Sequence, residues 1–519
     1  MNDLLDLLGR ASARPTSARF VTARGTRDTS FGEMWEMSGR AATAIERSPQ
    51  RTPLAGLLTP SPEMIACFVG CLRAGRDFVS MPLPGRGQSA AAYAAQTRVI
   101  LELSGAEEVI VEAASAPGFA GAPSEIGGRL SIAEAIVASG EGARPARDRA
   151  PGDIVQFSSG TTGAPKGVRL STAAVGASVE ATLDAIEVGH ADVSCQWVPL
   201  SHDMGLIGGL LGTWARMGRY VCLGPELFLV RPTLWMETCA AHRATVTTAP
   251  TFAYQILARQ LDRAPAMDLG ALRVAIVGAE PVGAETLRAF ARSALRHGFD
   301  ERAFCPAYGL AEATLTVSIL APSEPWSTAR VDVAGRQTEV VSCGRVLRSV
   351  EVLAPEQARG PGPILIRGAS VCQELVPHRP RRDDGWLDTG DLGALAGGEL
   401  LVTGRSDDML CIAGRNVFAW ELEQEAARCA GVRPGNCVAV ADGQGRYVVM
   451  FEPQGDAAPR DALLDVRRRL AGFAGVGPSG VGCLPRGRLP KTPSGKIQRN
   501  TLRAELDRYV GTCCDFQEF

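Results

Sequence analysis

Short apolar runs punctuated by Gly and Pro alternate with amphipathic stretches along most of the chain. "PLAGLLT" precedes "PEMIACFVGCLRAG", and "AAAYAAQTRVILELSG" precedes "EEVIVEA". Such alternation commits a chain to layered α/β structure, because each helix needs a sheet face on which to bury its apolar stripe. The segments 113–128 and "GEGARPARDRAPGD" (140–153) are rich in Gly, Pro and charge, which predicts loops and a subdomain edge near 150. The rhythm resumes in "RYVCLG", "ATVTTAP" and "LRVAIVGAEPV" between 219 and 282. From about 330 to 404, "TEVVSCG", "VEVLAP" and "GPILIRG" predict a small β unit. After "LVTGRSDD", the runs "NCVAVAD" and "RYVVMFEP" and a helical pattern over 458–473 predict a small α+β module. The expected fold class is therefore α/β. A large N-terminal domain (1–404) would hold two α/β subdomains plus the small β unit, and a C-terminal α+β domain would span 405–519. At roughly 150 residues per domain, 519 residues agree with about three units.

Composition narrows the chemistry. The formal net charge is −2 and the pI near 6.3, so no basic field exists to attract nucleic acid. No apolar run reaches the length of a membrane span and the start lacks a signal-peptide pattern, so a cytoplasmic location is expected. The 14 Cys include no Cys-x-x-Cys pair, and the five His include no His-x-x-x-His. Reduced, mostly buried thiols are expected, and any metal should arrive with a substrate rather than in a protein cage.

One stretch carries phosphate chemistry in its letters. "FSSGTTGAPKGV" (157–168) combines Gly, which lets backbone N–H groups turn toward an anion, with hydroxyl donors and one Lys. The same composition also suits a solvent turn. The spacing is not that of a Walker loop, since Lys166 lies between Pro165 and Gly167 with no hydroxyl following.

Four further strings follow in order: "PAYGLAEATL" (306–315), "WLDTGDLG" (386–393), "GRSDDMLCIAGRN" (404–416) and "LPKTPSGKIQRN" (489–500). Together, in this order and spacing, the five resemble the adenylate-forming superfamily of acyl-CoA synthetases, acyl-AMP ligases and peptide-synthetase adenylation domains. "ACFVGCLRAGRDFVSMPLP", "VPLSHDMGLIGGLL", "FLVRPTLWMETCAAHRATVTTAPTFAY" and "VSCG" are similar to the fatty acyl-AMP ligase branch. The chain departs from that branch at Asp407, Thr251 and Ala419, where Lys, Asn and Pro are usual, and at "CQEL" (372–375), where a Gly-Tyr-Trp string is usual.

The resemblance implies a two-step ligase with ATP and Mg2+ as cofactors. A carboxylic acid would displace pyrophosphate to give acyl-AMP, and a carrier-protein pantetheine thiol, supplied in trans, would then displace AMP. Free CoA is the alternative acceptor; an amino-acid adenylation enzyme and a non-catalytic nucleotide-binding regulator remain further alternatives. By motif position, Thr161, Thr162 and Lys166 would hold the β- and γ-phosphates, and Glu312 the magnesium. Tyr308 would stack on adenine beside Gly278, Ala279 and Glu280; Asp391 and Arg405 would contact the ribose. Lys496 would bridge carboxylate and α-phosphate, His202 would lie near the acyl carboxylate, and Asp407 would be the hinge of a mobile C-terminal domain. Rotation there would exchange Lys496 for the loop around Gly414, which would line the pantetheine path. An acyl or aryl pocket is expected around Trp197, Phe252, Ala279, Leu310 and Thr314.

Overall fold

The computed structural model describes residues 3–84, 88–116, 128–140, 150–158, 165–333, 335–378, 382, 384–412, 415–455, 459–491 and 497–519. Among these, strands Ser17–Thr22, Arg219–Leu223, Val193–Gln196, Val246–Pro250, Val274–Gly278 and Phe304–Gly309 lie side by side in that order, all parallel. The same sheet continues antiparallel through Thr316–Ile319, Arg336–Val346, Glu399–Arg405, Leu387–Ala396, Gly362–Arg367 and Glu351–Leu353. A second, seven-stranded sheet runs Glu374–Val376, Lys166–Leu170, Ile154–Ser158, Phe78–Ser80, Leu54–Gly56, Glu108–Val111, Arg129–Ile132. A four-stranded sheet (Val432–Ala441, Tyr447–Pro453, Gly480–Cys483, Asp515–Glu518) forms the C-terminal unit with the helices Ala419–Ala426 and Pro459–Ala474.

Two expected boundaries differ from the sheets. Phe78–Ser80 pairs with Ile154–Ser158, so one sheet runs straight across residue 150. The region after 330 is not a separate β unit either, since Arg336–Val346 pairs with Thr316–Ile319 on one side and Glu399–Arg405 on the other. Composition marks loops, whereas strand partners are chosen by register with distant segments, which Pro and Gly content does not encode.

The helices begin where capping side chains permit. Ser30 accepts from Glu33 N while Glu33 reaches back to Ser30 N; Ser61 precedes Pro62; Ser171 Oγ accepts from Ala174 N. Helices Phe31–Arg47, Pro62–Arg73 and Thr172–Ala185 then feed one continuous apolar core. Among the described residues no helix is long and apolar enough to cross a membrane. Every Cys is a free thiol and most are buried, Cys411 and Cys514 being exposed.

The segment Met204–Leu211 is π-helical, which no sequence pattern announced. A π-helix is wider than an α-helix and needs unusually permissive neighbours. Here Gly supplies them: a Cβ on Gly205 would stand 2.2 Å from Pro199 O, and one on Gly209 would stand 1.8 Å from the Gln196 amide. That amide is engaged, donating to Gly205 O (3.1 Å) and Tyr220 Oη (2.6 Å).

Helix Phe31–Arg47 meets helix Pro62–Arg73 at Gly70, where a Cβ would fall 2.7 Å from Ala41 Cβ and 2.8 Å from Ser38 O. Backbone cannot yield as a flexible side chain would. Gly70→Ala should therefore destabilise the protein by about 2 kcal/mol through overpacking, read as a lower melting temperature in a calorimetric scan.

Candidate functional site

A pocket of about 550 Å3 opens at the carboxyl ends of the parallel strands. This is where open α/β sheets generally present ligand-binding loops. Strand Val274–Gly278 ends beside Ala307, and a Cβ on Gly278 would lie 2.7 Å from Ala307 O. The chain then turns through Ala279 at φ +62, and Glu280 Oε2 accepts from Phe252 N at 3.1 Å. The expected Gly278, Ala279 and Glu280 thus form one wall.

Tyr308, Asp391 and Arg405 form a further wall. Tyr308 Oη donates to Asp391 Oδ2 at 2.6 Å, and Arg405 Nε lies 3.5 Å from Asp391 Oδ1. Asp391 and Arg405 are register partners on neighbouring strands, and the left-handed Gly390 (φ +72) brings the chain into that pairing. Burial, and then the Asp391 charge, push the Tyr308 phenol well above its ordinary range, so it stays a neutral donor. Glu312 sits on the short 3-10 turn Ala311–Ala313; desolvation raises its carboxyl, Arg405 lowers it, and Asp391 and Asp203 raise it.

His202 Nδ1 lies 2.6 Å from Asp203 Oδ1, and Asp203 also accepts from Met204 N at 2.7 Å. Met204 N also lies 3.3 Å from His202 Nδ1, so the ring is held between Asp203 and the backbone at the start of the next helix. Lys166 lines the pocket from the start of strand Lys166–Leu170, opposite Ser158 in register. Thr161, Thr162, Gly414 and Lys496 lie outside the described residues. Ile497, Gln498, Arg499 and Asn500, directly after Lys496, line the pocket.

Glu312, facing open space on its short turn, fits a magnesium site shared with a substrate better than a protein cage. Mg2+ is commonly held by one or two carboxylates together with substrate phosphates. Among the described residues no cluster of three or more His, Cys, Asp or Glu could hold a metal by itself.

Two expected pocket residues are elsewhere. Trp197 is fully buried, stacked on Phe228 with ring centroids 3.6 Å apart, and does not line the pocket. Thr314 is turned inward at φ +70, its Oγ1 donating to Ser370 O at 2.5 Å. Phe252, Ala279 and Leu310 do line it. Sequence reasoning missed Gln156, Asp203, Thr182 and Arg499. Arg499 pairs with Asp408 at 2.7 Å and Glu423 at 2.8 Å, residues far apart in sequence with no local pattern to announce them.

The C-terminal unit closes the pocket by docking on the large sheet. Phe418 packs with Val331, Val333, Val340 and Leu401, and Trp420 Nε1 donates to Thr403 O at 2.8 Å. Buried Glu421 receives the Arg336 guanidinium, the Thr338 hydroxyl (3.1 Å) and Phe418 N (3.1 Å). Removing one partner leaves a buried charge unpaired. Arg336→Ala should cost about 2 kcal/mol of docking, the low end because Arg336 keeps some solvent contact. Amide exchange in Ala419–Ala426 should then accelerate by about thirtyfold, and an unchanged rate would contradict this docking.

The comparisons agree with this geometry. The family model "AMP-binding enzyme" matches residues 9–375. The 4-hydroxyphenylalkanoate adenylyltransferase of Mycobacterium tuberculosis is 29% identical over 98% of this chain and 92% of its own. The medium-chain-fatty-acid–[acyl-carrier-protein] ligase JamA of Moorena producens is 27% identical over 92% of this chain and 89% of its own. A solved structure from work on fatty acyl-adenylate ligases of E. coli and L. pneumophila is 26% identical, with TM-score 0.88 over 98% of both chains. With the strand-end pocket, the Tyr308–Asp391 wall and a family match over most of its length, the chain belongs to the AMP-binding enzyme family of adenylate-forming ligases.

Proposed function

We propose that this protein activates a carboxylic acid with ATP and passes the acyl group to the pantetheine thiol of a carrier protein. The observation that carries the reading is the composition of the pocket. One continuous cavity joins the polar walls around Glu312, Asp391 and Arg405 to an apolar arm lined by Val179, Leu183, Ile186, Ile207 and Met217. A nucleotide suits the first region and a hydrocarbon chain the second.

A carboxylate is a poor electrophile for a thiol. Attack of its oxygen on the α-phosphorus of ATP expels pyrophosphate, and the thiol then attacks the acyl carbon of the adenylate and expels AMP. Negative charge grows in the first step, so fixed donors and cations aimed at that charge supply the largest share of catalysis. Glu280 and Tyr308 border the adenine, Asp391 accepts from the ribose hydroxyls, and Arg405 stands beside it. By motif position Lys166 would reach the phosphates with Thr161 and Thr162, and Glu312 would hold magnesium, which when bound would neutralise the triphosphate. His202 orients the acyl carboxylate through Nε2, its ring set by Asp203. The C-terminal domain turns about Asp407 between the steps.

A carrier as acceptor is favoured by the relative named as an acyl-carrier-protein ligase; Asp407, where the fatty acyl-AMP ligase branch usually has Lys, keeps free CoA as the second reading. Incubating the adenylated enzyme with a holo carrier or with CoA separates them, and acylation of CoA alone would overturn the carrier assignment.

Two variants divide the half-reactions. Lys496→Ala should lower acyl-AMP formation by about a hundred- to thousandfold yet still transfer acyl from supplied acyl-AMP, as measured by pyrophosphate release and by thioester mass. Asp407→Pro, by locking φ, should impair thioester formation more than adenylation, and equal loss in both would contradict a hinge at this residue.

A further inference from the structure

We infer that the acid substrate carries a hydrogen-bonding oxygen, a hydroxyl or a keto group, partway along its chain, and that Thr182 is the residue that selects it. This rests on the adenylation reading of the same pocket. It begins from the buried helix hydroxyls that lack a partner among the described residues: Ser178 does not line the pocket, Thr251 stands at its polar end just after Pro250, and Thr182 alone of the three lies in the apolar arm. Thr43, Thr213 and Thr238 each turn Oγ1 back on the carbonyl four residues earlier, at 3.1, 2.5 and 2.7 Å. That is the default satisfaction of a hydroxyl inside a helix. Thr182 lies inside the helix Thr172–Ala185 and is only 6% exposed, yet among the described residues its Oγ1 has no hydrogen-bond partner.

The residue lines the apolar arm, between Val179 and Ile186 on the same helix face. A valine would fill that wall without leaving an unpaired hydroxyl. Buried polar atoms without partners are costly, and one facing a ligand cavity can be met by water while the cavity is empty; once a ligand displaces that water, it is satisfied only when the ligand brings the complement. A plain alkyl chain brings none, whereas a substrate hydroxyl or carbonyl brings one.

The fold also gives the depth. The helix ends at Ala185 and the chain re-enters the sheet at Val193, so Ile186 sits beside the strand starts. Ser194 and Val246, also at strand starts, line the pocket there. The polar end lies at the opposite ends of these strands, where Pro250 pairs with Gly278. From Val246 to Pro250 is four residues, roughly 13 Å of strand. Thr182 stands about one helical turn, ~5.4 Å, above Ile186, which puts the selected oxygen near mid-arm, well away from the reacting carboxylate.

The test uses the full chain and matched saturated acids, plain or bearing one hydroxyl or keto group at successive carbons. Acyl-AMP is scored by mass and pyrophosphate release for wild type, Thr182→Ser and Thr182→Val. At one chain position the oxygenated acid should exceed its plain counterpart by about tenfold in kcat/KM. Thr182→Ser should keep that preference, and Thr182→Val should bring the two acids within about twofold of each other. A wild type that prefers the plain acid at every position, or a Thr182→Val enzyme that keeps the preference, overturns the inference while leaving adenylation standing. A wild type that adenylates no acid in the panel overturns the adenylation reading and this inference together.

Discussion

The hydrogen bond from Tyr308 to Asp391 sets the shape of the large sheet. In strand order the two residues are four positions apart, separated by Thr316–Ile319, Arg336–Val346 and Glu399–Arg405. In a flat sheet four spacings amount to ~19 Å, too far for these side chains to meet. The 2.6 Å bond therefore requires the antiparallel half to curl back over the ends of the parallel half. Register shifts at Tyr308/Gly309, Ser342/Arg345 and Leu392/Gly393 are the local devices that permit it. At Gly309 a Cβ would come within 1.8 Å of Leu315 O, so no other residue fits the bend.

That curl gathers the polar end of the pocket. Asp391 and Arg405 come from the antiparallel half, Gly278 and Glu280 from a parallel strand end, and Glu312 from the turn between the halves. The apolar arm has a different origin: the helix Thr172–Ala185 and the π-helical Met204–Leu211 lie against the sheet and leave a slot between them. The wider helix is possible because Gly205 and Gly209 press against Pro199 O and the Gln196 amide. The polar and apolar ends thus belong to one cavity built by separate packing solutions, so side chains of the arm can change without touching the polar end.

The C-terminal unit completes the enclosure. Glu421 is buried and charged, tolerable only while Arg336, Thr338 and Phe418 N surround it. Arg499 does comparable work within the unit, joining Asp408 and Glu423 a few residues after Lys496. A rotation about Asp407 would carry the Asp408–Arg499–Glu423 group along as a body and would have to break the Arg336–Glu421 contact. The docked arrangement is held by the Arg336–Glu421 ion pair over an otherwise apolar seam of Phe418, Val331 and Leu401.

By itself the sequence determined the α/β class and most of the individual strands and helices, and its family resemblance singled out Glu312, Tyr308, Asp391, Arg405 and Lys166, which the fold brings to one pocket. These are local facts: periodicity records which face is buried, and motif letters record which chemistry a loop presents. Only the tertiary structure decided which strands pair across residue 150, that the strands after 330 extend the large sheet, and that Trp197 and Thr314 turn away from the pocket. It alone exposed the Glu421 and Arg499 ion pairs and the unpartnered Thr182 hydroxyl. The physical reason is shared: partner choice among strands, and the satisfaction of a buried polar atom, depend on residues tens to hundreds of positions away, and a single chain of letters carries no signal of that distance until it is folded.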